Sequence, residues 1–583
     1  MLRGLAAAVL AMLVLVPNAS AATTPTAPVY DAKGHLIQTP FTQPPEKRHL
    51  NAAAATAILL ANDKVADWLT RYPKKGRSTA ASYKDGVWTV DVWWGAAGEI
   101  AKGKVDDKTG AVTEAFTGPQ VAWGMARGGP GAFGGKKINS LPIWLAFCIA
   151  FLIGLADFRR PLSLRNLDLL VLLSFSVSLW RFNRGDVFGA MLLAYPPLAY
   201  LLVRAAWIGI RGRATPTRVM WPAWILIGAT VFLAGFRIGL NLQSSNVIDV
   251  GYSGVIGADR IVRDNVSPYG HMPVEDPQKP CGPADQNGEI RDRIQTNGRC
   301  ESANPLGDTY GPVSYEAYIP ADLITPWSGK WDRLPVAHNT AIAFDLLCMV
   351  GLLLLGLRFG GWQTGAMLAF AWAAYPFTQY VSMSNTNDSI QPAFMIWGLW
   401  LASSPAARGV GSALASWVKF GPLLTVPLWL TYPEWSWSWR RAKLFFLAAF
   451  AITTLAAFSI EFLEPNLWHA LKVFYVRTFK IQFDRHSPFS LWDWGQYHAK
   501  GLPDLHVVQR VLQVLVALGA LAVAFVPRRK SLLQLAALTG AILIGFELVL
   551  THWFYLYLPW FFPFVALALV GPLPGHRENV AAG

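Results

Sequence analysis

The chain reads as an all-α polytopic membrane protein of about 11 to 13 membrane-spanning helices, preceded by a small N-terminal extracytoplasmic α+β domain. Three observations lead there. Of 583 residues, 53% are hydrophobic and only 15% are charged, where a soluble domain carries about 25% charged residues. Runs such as Leu346 to Leu357 and Leu532 to Leu550 hold almost no charge, and a helix needs roughly 20 apolar residues to cross about 30 Å of hydrocarbon. Lys and Arg gather in short loops between such runs, so the formal charge of +14 reports membrane topology and argues against nucleic acid as a partner.

In chain order, residues 1–21 read as a secretory signal peptide: Arg3, an apolar stretch from Leu5 to Val16, then Ala19-Ser20-Ala21. An uncleaved anchor is the plainer alternative. Residues 50–131 have the composition of a small exported domain, with helical periodicity around Ala52–Leu69 and alternating apolar residues in Val87-Trp88-Thr89-Val90-Asp91-Val92-Trp93. A turn at Asp107-Lys108-Thr109-Gly110 separates the strand-like stretches Ile100–Val105 and Val112–Phe116. This order of helix and antiparallel strands resembles PepSY-type extracytoplasmic domains. Gly128–Gly135 reads as the linker that follows.

The membrane core is expected over residues 140–575. Spans are placed near 142–157, 166–181, 187–208 and 221–241, and later near 338–358, 363–381, 389–403, 442–460, 507–526, 532–550 and 553–571. With the N-terminal domain outside, the basic clusters at Arg159-Arg160 and Arg211 to Arg218 fall inside, so charge bias and signal peptide agree. Residues 410–430 break the count, because Lys419, Gly421, Pro422 and Pro427 interrupt them; a broken pair of short helices is expected. The long stretch 243–335 is then external and carries Cys281 and Cys300. A disulfide between them fits that compartment and would stabilise the loop by about 3 kcal/mol; two free thiols are the other reading. The cell membrane is thus the expected location, with several crossings and the lipid bilayer as the surrounding solvent.

Ionisable groups at membrane depth cost several kcal/mol, so Asp249, Asp388, Lys419, Arg485, His486 and Glu547, at or beside span ends, invite explanation. The loop opens with Asp249-Val250-Gly251-Tyr252, continues through Asp259-Arg260 and reaches Ser267-Pro268-Tyr269-Gly270. Later come Asp308-Thr309-Tyr310-Gly311-Pro312, Asn385-Thr386-Asn387-Asp388, Lys419-Phe420-Gly421-Pro422 and Arg485-His486-Ser487-Pro488. In this order the pieces resemble the GT-C superfamily of membrane glycosyltransferases, most nearly the polyprenyl-phosphate-mannose-dependent enzymes of glycosyltransferase family 87. Gly251 stands where that family usually has an aromatic residue.

The resemblance implies a GT-C-like fold and transfer of a hexose, mannose above others, with inversion at the donor carbon. The sugar passes from a polyprenyl-phosphate-linked donor to a lipid, glycan or protein acceptor outside the cytoplasm. Such a reaction needs one carboxylate to take the acceptor proton; Asp249 is the first candidate and Asp259, which Arg260 or a helix end could equally occupy, the second. Fixed positive charge must meet the departing phosphate. Arg485 and His486 are placed for that, with Arg477 a further candidate, while Lys419 either points into the same cavity or, more plainly, snorkels to the cytoplasmic surface. Tyr252, Tyr269, Asp308, Tyr310, Asn387 and Asp388 are the candidate sugar- and acceptor-binding residues, with span capping the other reading for Asn387 and Asp388.

No glycine-rich phosphate loop, His-Glu-x-x-His or Cys-x-x-Cys pattern occurs, and no cofactor or metal ligand set is expected. The aromatic run Trp553 to Phe564 reads most simply as an interfacial belt; stacking of sugar rings or packing of a polyprenyl chain is the sharper reading. A multi-span transporter or lipid flippase is the competing reading, marked by paired broken helices in two repeats; only the segment around Lys419 is broken.

Overall fold

The computed structural model describes residues 29–30, 33–38, 48–128, 133–212, 220–273, 306–329, 334–436 and 440–570. The signal-like residues 1–21 and both loop cysteines, Cys281 and Cys300, lie outside them. A two-stranded hairpin, β1 (Val29–Tyr30) and β2 (Leu36–Gln38), precedes a helical pair and a four-stranded antiparallel sheet. The pair is α1 (Ala52–Ala61) and α2 (Asp63–Leu69). Asn51 caps α1 through the Ala54 N–H at 2.8 Å, and Asn62 ends α1 while capping α2, which splits the single helix read from periodicity.

The sheet runs in sequence order: β3 (Arg77–Lys84), β4 (Val87–Trp94), β5 (Gly98–Asp106) and β6 (Val112–Thr117). Trp88, Val90 and Val92 on alternate positions of β4 pack with Leu59, Val65 and Trp68 into one small core. Strand β3 was not anticipated. Its sequence, Arg-Ser-Thr-Ala-Ala-Ser-Tyr-Lys, has no apolar alternation because it is an exposed edge strand paired only with β4.

This domain docks on the helical core. Gln120 Nε2 donates to the Gly185 carbonyl at 2.8 Å, the Tyr72 hydroxyl donates to the Tyr497 carbonyl at 2.8 Å, and Trp68 stacks on Phe188 with centroids 6.1 Å apart. Past the undescribed residues 129–132, Phe133 near the end of the expected linker packs on the core: Asn139 Nδ2 donates to Phe133 O at 2.7 Å, and Phe133 packs on Phe554 at 4.3 Å.

The core comprises α3 (Leu141–Leu155), α4 (Leu164–Phe182), α5 (Val187–Arg211), α6 (Ala223–Ser244), α7 (Asp249–Asp259), α8 (Pro335–Ala374, broken at Gly360 and Gly361), α9 (Pro376–Ser384), α10 (Ile390–Trp400), α11 (Pro405–Ser416), α12 (Arg440–Ala457), α13 (Leu467–Tyr475), α14 (His506–Phe525), α15 (Leu532–Leu548) and α16 (Leu558–Val570). The described residues of each expected span fall mainly in helix, but fewer helices than the expected count of about 11 to 13 are long and apolar enough to cross. Among the described residues five stretches are long and apolar enough to cross a membrane: Val187–Arg211, Ala223–Ser244, Pro335–Arg358, Arg440–Leu463 and His506–Phe525. Exposed Val231, Phe232 and Leu455 leave apolar surface facing outward, which fits a membrane protein.

Two features of the bundle escaped the sequence reading. Arg237 on α6 grips Asp345 on α8 through both nitrogen arms, Nε to Oδ2 at 2.9 Å, and Trp372 Nε1 donates to the same carboxylate at 2.8 Å. All three are buried, so the charges are paired and hydrogen-bonded as an apolar surrounding requires. The aromatic run is also corrected: Trp553, Tyr555, Trp560, Phe561 and Phe562 are buried core, not a belt at the membrane surface. Segment 410–430 does break as expected, α11 giving way to a 3-10 turn at Gly421–Thr425 and a short helix Val426–Leu430.

Candidate active site

Beyond the end of α6 the chain turns at once into α7, and Asp249 is its first residue. This turn is held against α9: the Asn246 and Ile248 N–H groups donate to the carbonyls of Met383 and Ser384. Asn385 closes α9 with φ of 50°, and its side chain donates to Ser245 Oγ at 2.9 Å. A Cβ on Gly251 would lie 2.2 Å from the Asn385 carbonyl oxygen. Glycine is therefore required at this position, because α7 packs backbone to backbone on this turn.

The same turn carries Asp388, in the 3-10 stretch Asn387–Ser389. Opposite it, Pro422 cannot continue α11, and the chain leaves that helix with Lys419 aimed inward. The Lys419 ammonium lies 3.3 Å from Asp388 Oδ1 and 4.3 Å from the centre of the Tyr310 ring, with Trp560 at 5.6 Å. It thus points into the cavity and does not snorkel. Trp560 Nε1 donates to the same Asp388 oxygen at 3.0 Å.

Arg485 follows a short helix, Ile481–Asp484, and its Nη2 faces His552 Nε2 at 3.4 Å. Because a guanidinium has only donors, His552 Nε2 accepts, and its proton sits on Nδ1, which donates to Ser487 Oγ at 2.8 Å. Burial, with the charges of Arg485 and Lys419 beside it, holds the imidazole well below its ordinary range and therefore neutral.

Asp249, Tyr310, Asp388, Lys419 and Arg485 all line one cavity of about 330 Å³. Its polar groups are these five with His552, and aromatic rings, Trp123, Phe489, Phe554 and Tyr557 among them, make up much of the remaining wall. Asp249 is reached by solvent through the cavity yet surrounded by protein. Burial pushes its carboxyl above the usual carboxylate range, against the pull of the Val250 N–H, Arg485 and Lys419 and with the help of Asp388. Two carboxylates and two cations therefore share one cavity walled largely by apolar groups, where their interactions are stronger than in water.

The other candidates lie outside this cavity. Asp259 is about 15 Å along α7 from Asp249, at 1.5 Å per residue, and its carboxylate accepts from Arg263, which also holds Asp322 at 2.6 Å. His486 turns away, its Nδ1 3.1 Å from Asp493 Oδ2. Tyr252 is buried edge-on to Trp327. Asp308 accepts from Gly270 N and Arg477 Nε, each at 2.7 Å, and Tyr269 donates to the Tyr310 carbonyl at 2.7 Å. Asn387 donates to Ser314 Oγ. Tyr269, Asp308 and Asn387 thus fasten the loop that presents Tyr310, and Arg477 neutralises Asp308 instead of facing the cavity.

Sequence reasoning missed His552, although Thr551-His552-Trp553 follows an expected span directly, and it held Tyr557 and Trp560 only as members of the aromatic run, under its sugar-stacking alternative. It also missed Trp123, which belongs to the N-terminal part of the chain. Among the described residues no group of three or more His, Cys, Asp or Glu side chains could hold a metal ion. No protein-family model, curated protein or solved structure matches the chain.

Proposed function

We propose that the chain is a membrane glycosyltransferase with a GT-C-like core, moving a hexosyl unit, mannose first among candidates, from polyprenyl phosphate to an extracytoplasmic acceptor. The observation that carries this reading is the meeting of Asp249, Lys419 and Arg485 in one cavity from three distant parts of the chain. Asp388 has its charge engaged by Lys419 and Trp560. Among the described residues no side chain donates a hydrogen bond to Asp249, and Arg485 and Lys419 act on it through longer-range attraction.

On this reading the acceptor oxygen attacks the sugar C1, its proton passes to Asp249, the C1–O bond to phosphate breaks, and the electron pair leaves with polyprenyl phosphate. Arg485 and Lys419 meet the phosphate oxygens, the guanidinium held in orientation by neutral His552. A carboxylate whose pKa burial has raised is a better proton acceptor than an ordinary one.

The test is transfer of labelled sugar from synthetic polyprenyl-phosphate-mannose, with the glucose analogue alongside. Asp249→Asn is expected to lose about 10²- to 10⁴-fold in turnover while remaining folded. Full transfer by that variant would remove Asp249 from its role, and no turnover by folded wild type would remove the donor class.

A further inference from the structure

One aromatic side chain of the cavity wall, Trp123, comes from the N-terminal part of the chain. Trp123 sits between two short helical turns, Pro119–Ala122 and Gly124–Arg127, with φ −119° and ψ 103°. That single extended residue turns its ring out of the turn and edge-on to Phe489, with centroids 5.4 Å apart. Phe489 is in turn 5.5 Å from the His552 ring, so the indole stands two rings away from the group that orients Arg485. The turn is clamped from both sides: Gln120 Nε2 donates to Ala126 O at 3.1 Å and to Gly185 O at 2.8 Å, and Arg127 Nε donates to Gln120 O at 2.8 Å. A half-buried indole whose turn is held this firmly, on the wall of the cavity that also holds Asp249 and Arg485, is a rigid apolar plane and not a loose linker residue.

We propose that Trp123 is a specificity-determining residue that stacks on the ring face of a saccharide-bearing acceptor, so that the N-terminal domain is a structural part of the site. This rests on the transferase reading and deepens it by naming the acceptor class. A pyranose offers a patch of C–H bonds on one face and hydroxyls at its rim, which suits a cavity whose wall carries both a flat aromatic plane and charged hydrogen-bonding groups. The large, stiff indole contributes contact area at little entropic cost.

The experiment measures binding of octyl α-mannoside to the full-length purified protein by titration calorimetry, for wild type, Trp123→Leu and Trp123→Phe. Leucine keeps apolar packing against Phe489 but removes the plane; phenylalanine keeps the plane. Thermal unfolding of each variant identifies any that fail to fold, and phenylalanine rescue separates stacking from mere filling. Expected is binding by wild type, weakened about tenfold in Trp123→Leu and largely restored in Trp123→Phe. Absence of binding by wild type, or equal affinity in all three, overturns the inference. Consumption of polyprenyl-phosphate-mannose by wild type is followed in the same preparation. Donor left intact overturns the transferase reading itself, whereas donor consumed with saccharide binding indifferent to Trp123 overturns only the role of the indole.

Discussion

Asp249 is a carboxylate that burial has made harder to ionise, in a cavity that also supplies two cations. A general base works only when deprotonated, so activity should fall as pH drops through a pKa lying above the ordinary carboxylate value of 3.8. Glu316 is another acid pushed up by burial, to about 7, but it lies outside the cavity lining. A pH–rate profile of transfer should therefore show an acidic limb that Glu316→Gln leaves in place; a limb that moves with Glu316→Gln would assign the titration to the wrong carboxyl. At this scale the sequence was informative where a charge interrupts an apolar run, as with Lys419, and uninformative where roles depend on which partner arrives in space. Asp259 and His486 look as eligible as Asp249 and Arg485 in one dimension, yet each is claimed by a neighbour four to seven residues away. His552 carries no local mark of its tie to Arg485, a contact spanning 67 positions.

Among the elements, α6 and α8 are joined by the Arg237–Asp345 pair. Removing one partner leaves a buried charge alone, so Asp345→Leu should destabilise by about 3–5 kcal/mol, while the double change Arg237→Met with Asp345→Leu should recover most of that. Thermal unfolding in detergent measures both; equal losses in the single and double variants would show that the pair contributes nothing through its charge. Periodicity and length made the helices legible because each span is a long, mostly apolar run in which charges such as Arg237 and Asp345 are isolated. The edge strand β3 was not, since an exposed strand has no buried face to impose alternation. The belt assignment for Trp553 to Phe564 failed for a related reason: aromatic composition is the same at a membrane surface and in a core, and only packing of α16 behind α15 decides between them.

For the molecule as a whole, the N-terminal domain is tied together at Asp107. Burial alone would raise its carboxyl, but hydrogen bonds from the His49 N–H, the Trp88 indole and the Leu50 N–H hold it well below the usual range. A group depressed in this way adds stability above its unfolded value of 3.8, and that contribution is lost as pH falls through the folded value. Tryptophan fluorescence should therefore report acid loosening of this domain, and Asp107→Asn should loosen it already at neutral pH. An unaltered neutral-pH melting curve for that variant would count against the tie.

The docking of this domain also sets an order of events during synthesis. Tyr72 finds its partner, the Tyr497 carbonyl, 425 residues further along, and Lys500 N–H donates to the Arg71 carbonyl across a similar interval. At roughly 5–20 residues per second, about 20 to 85 s separate the birth of the two surfaces. Through that interval the face bearing Trp68 and Tyr72 is complete but uncovered, and a nascent chain would present it to whatever chaperone or quality-control protease waits there.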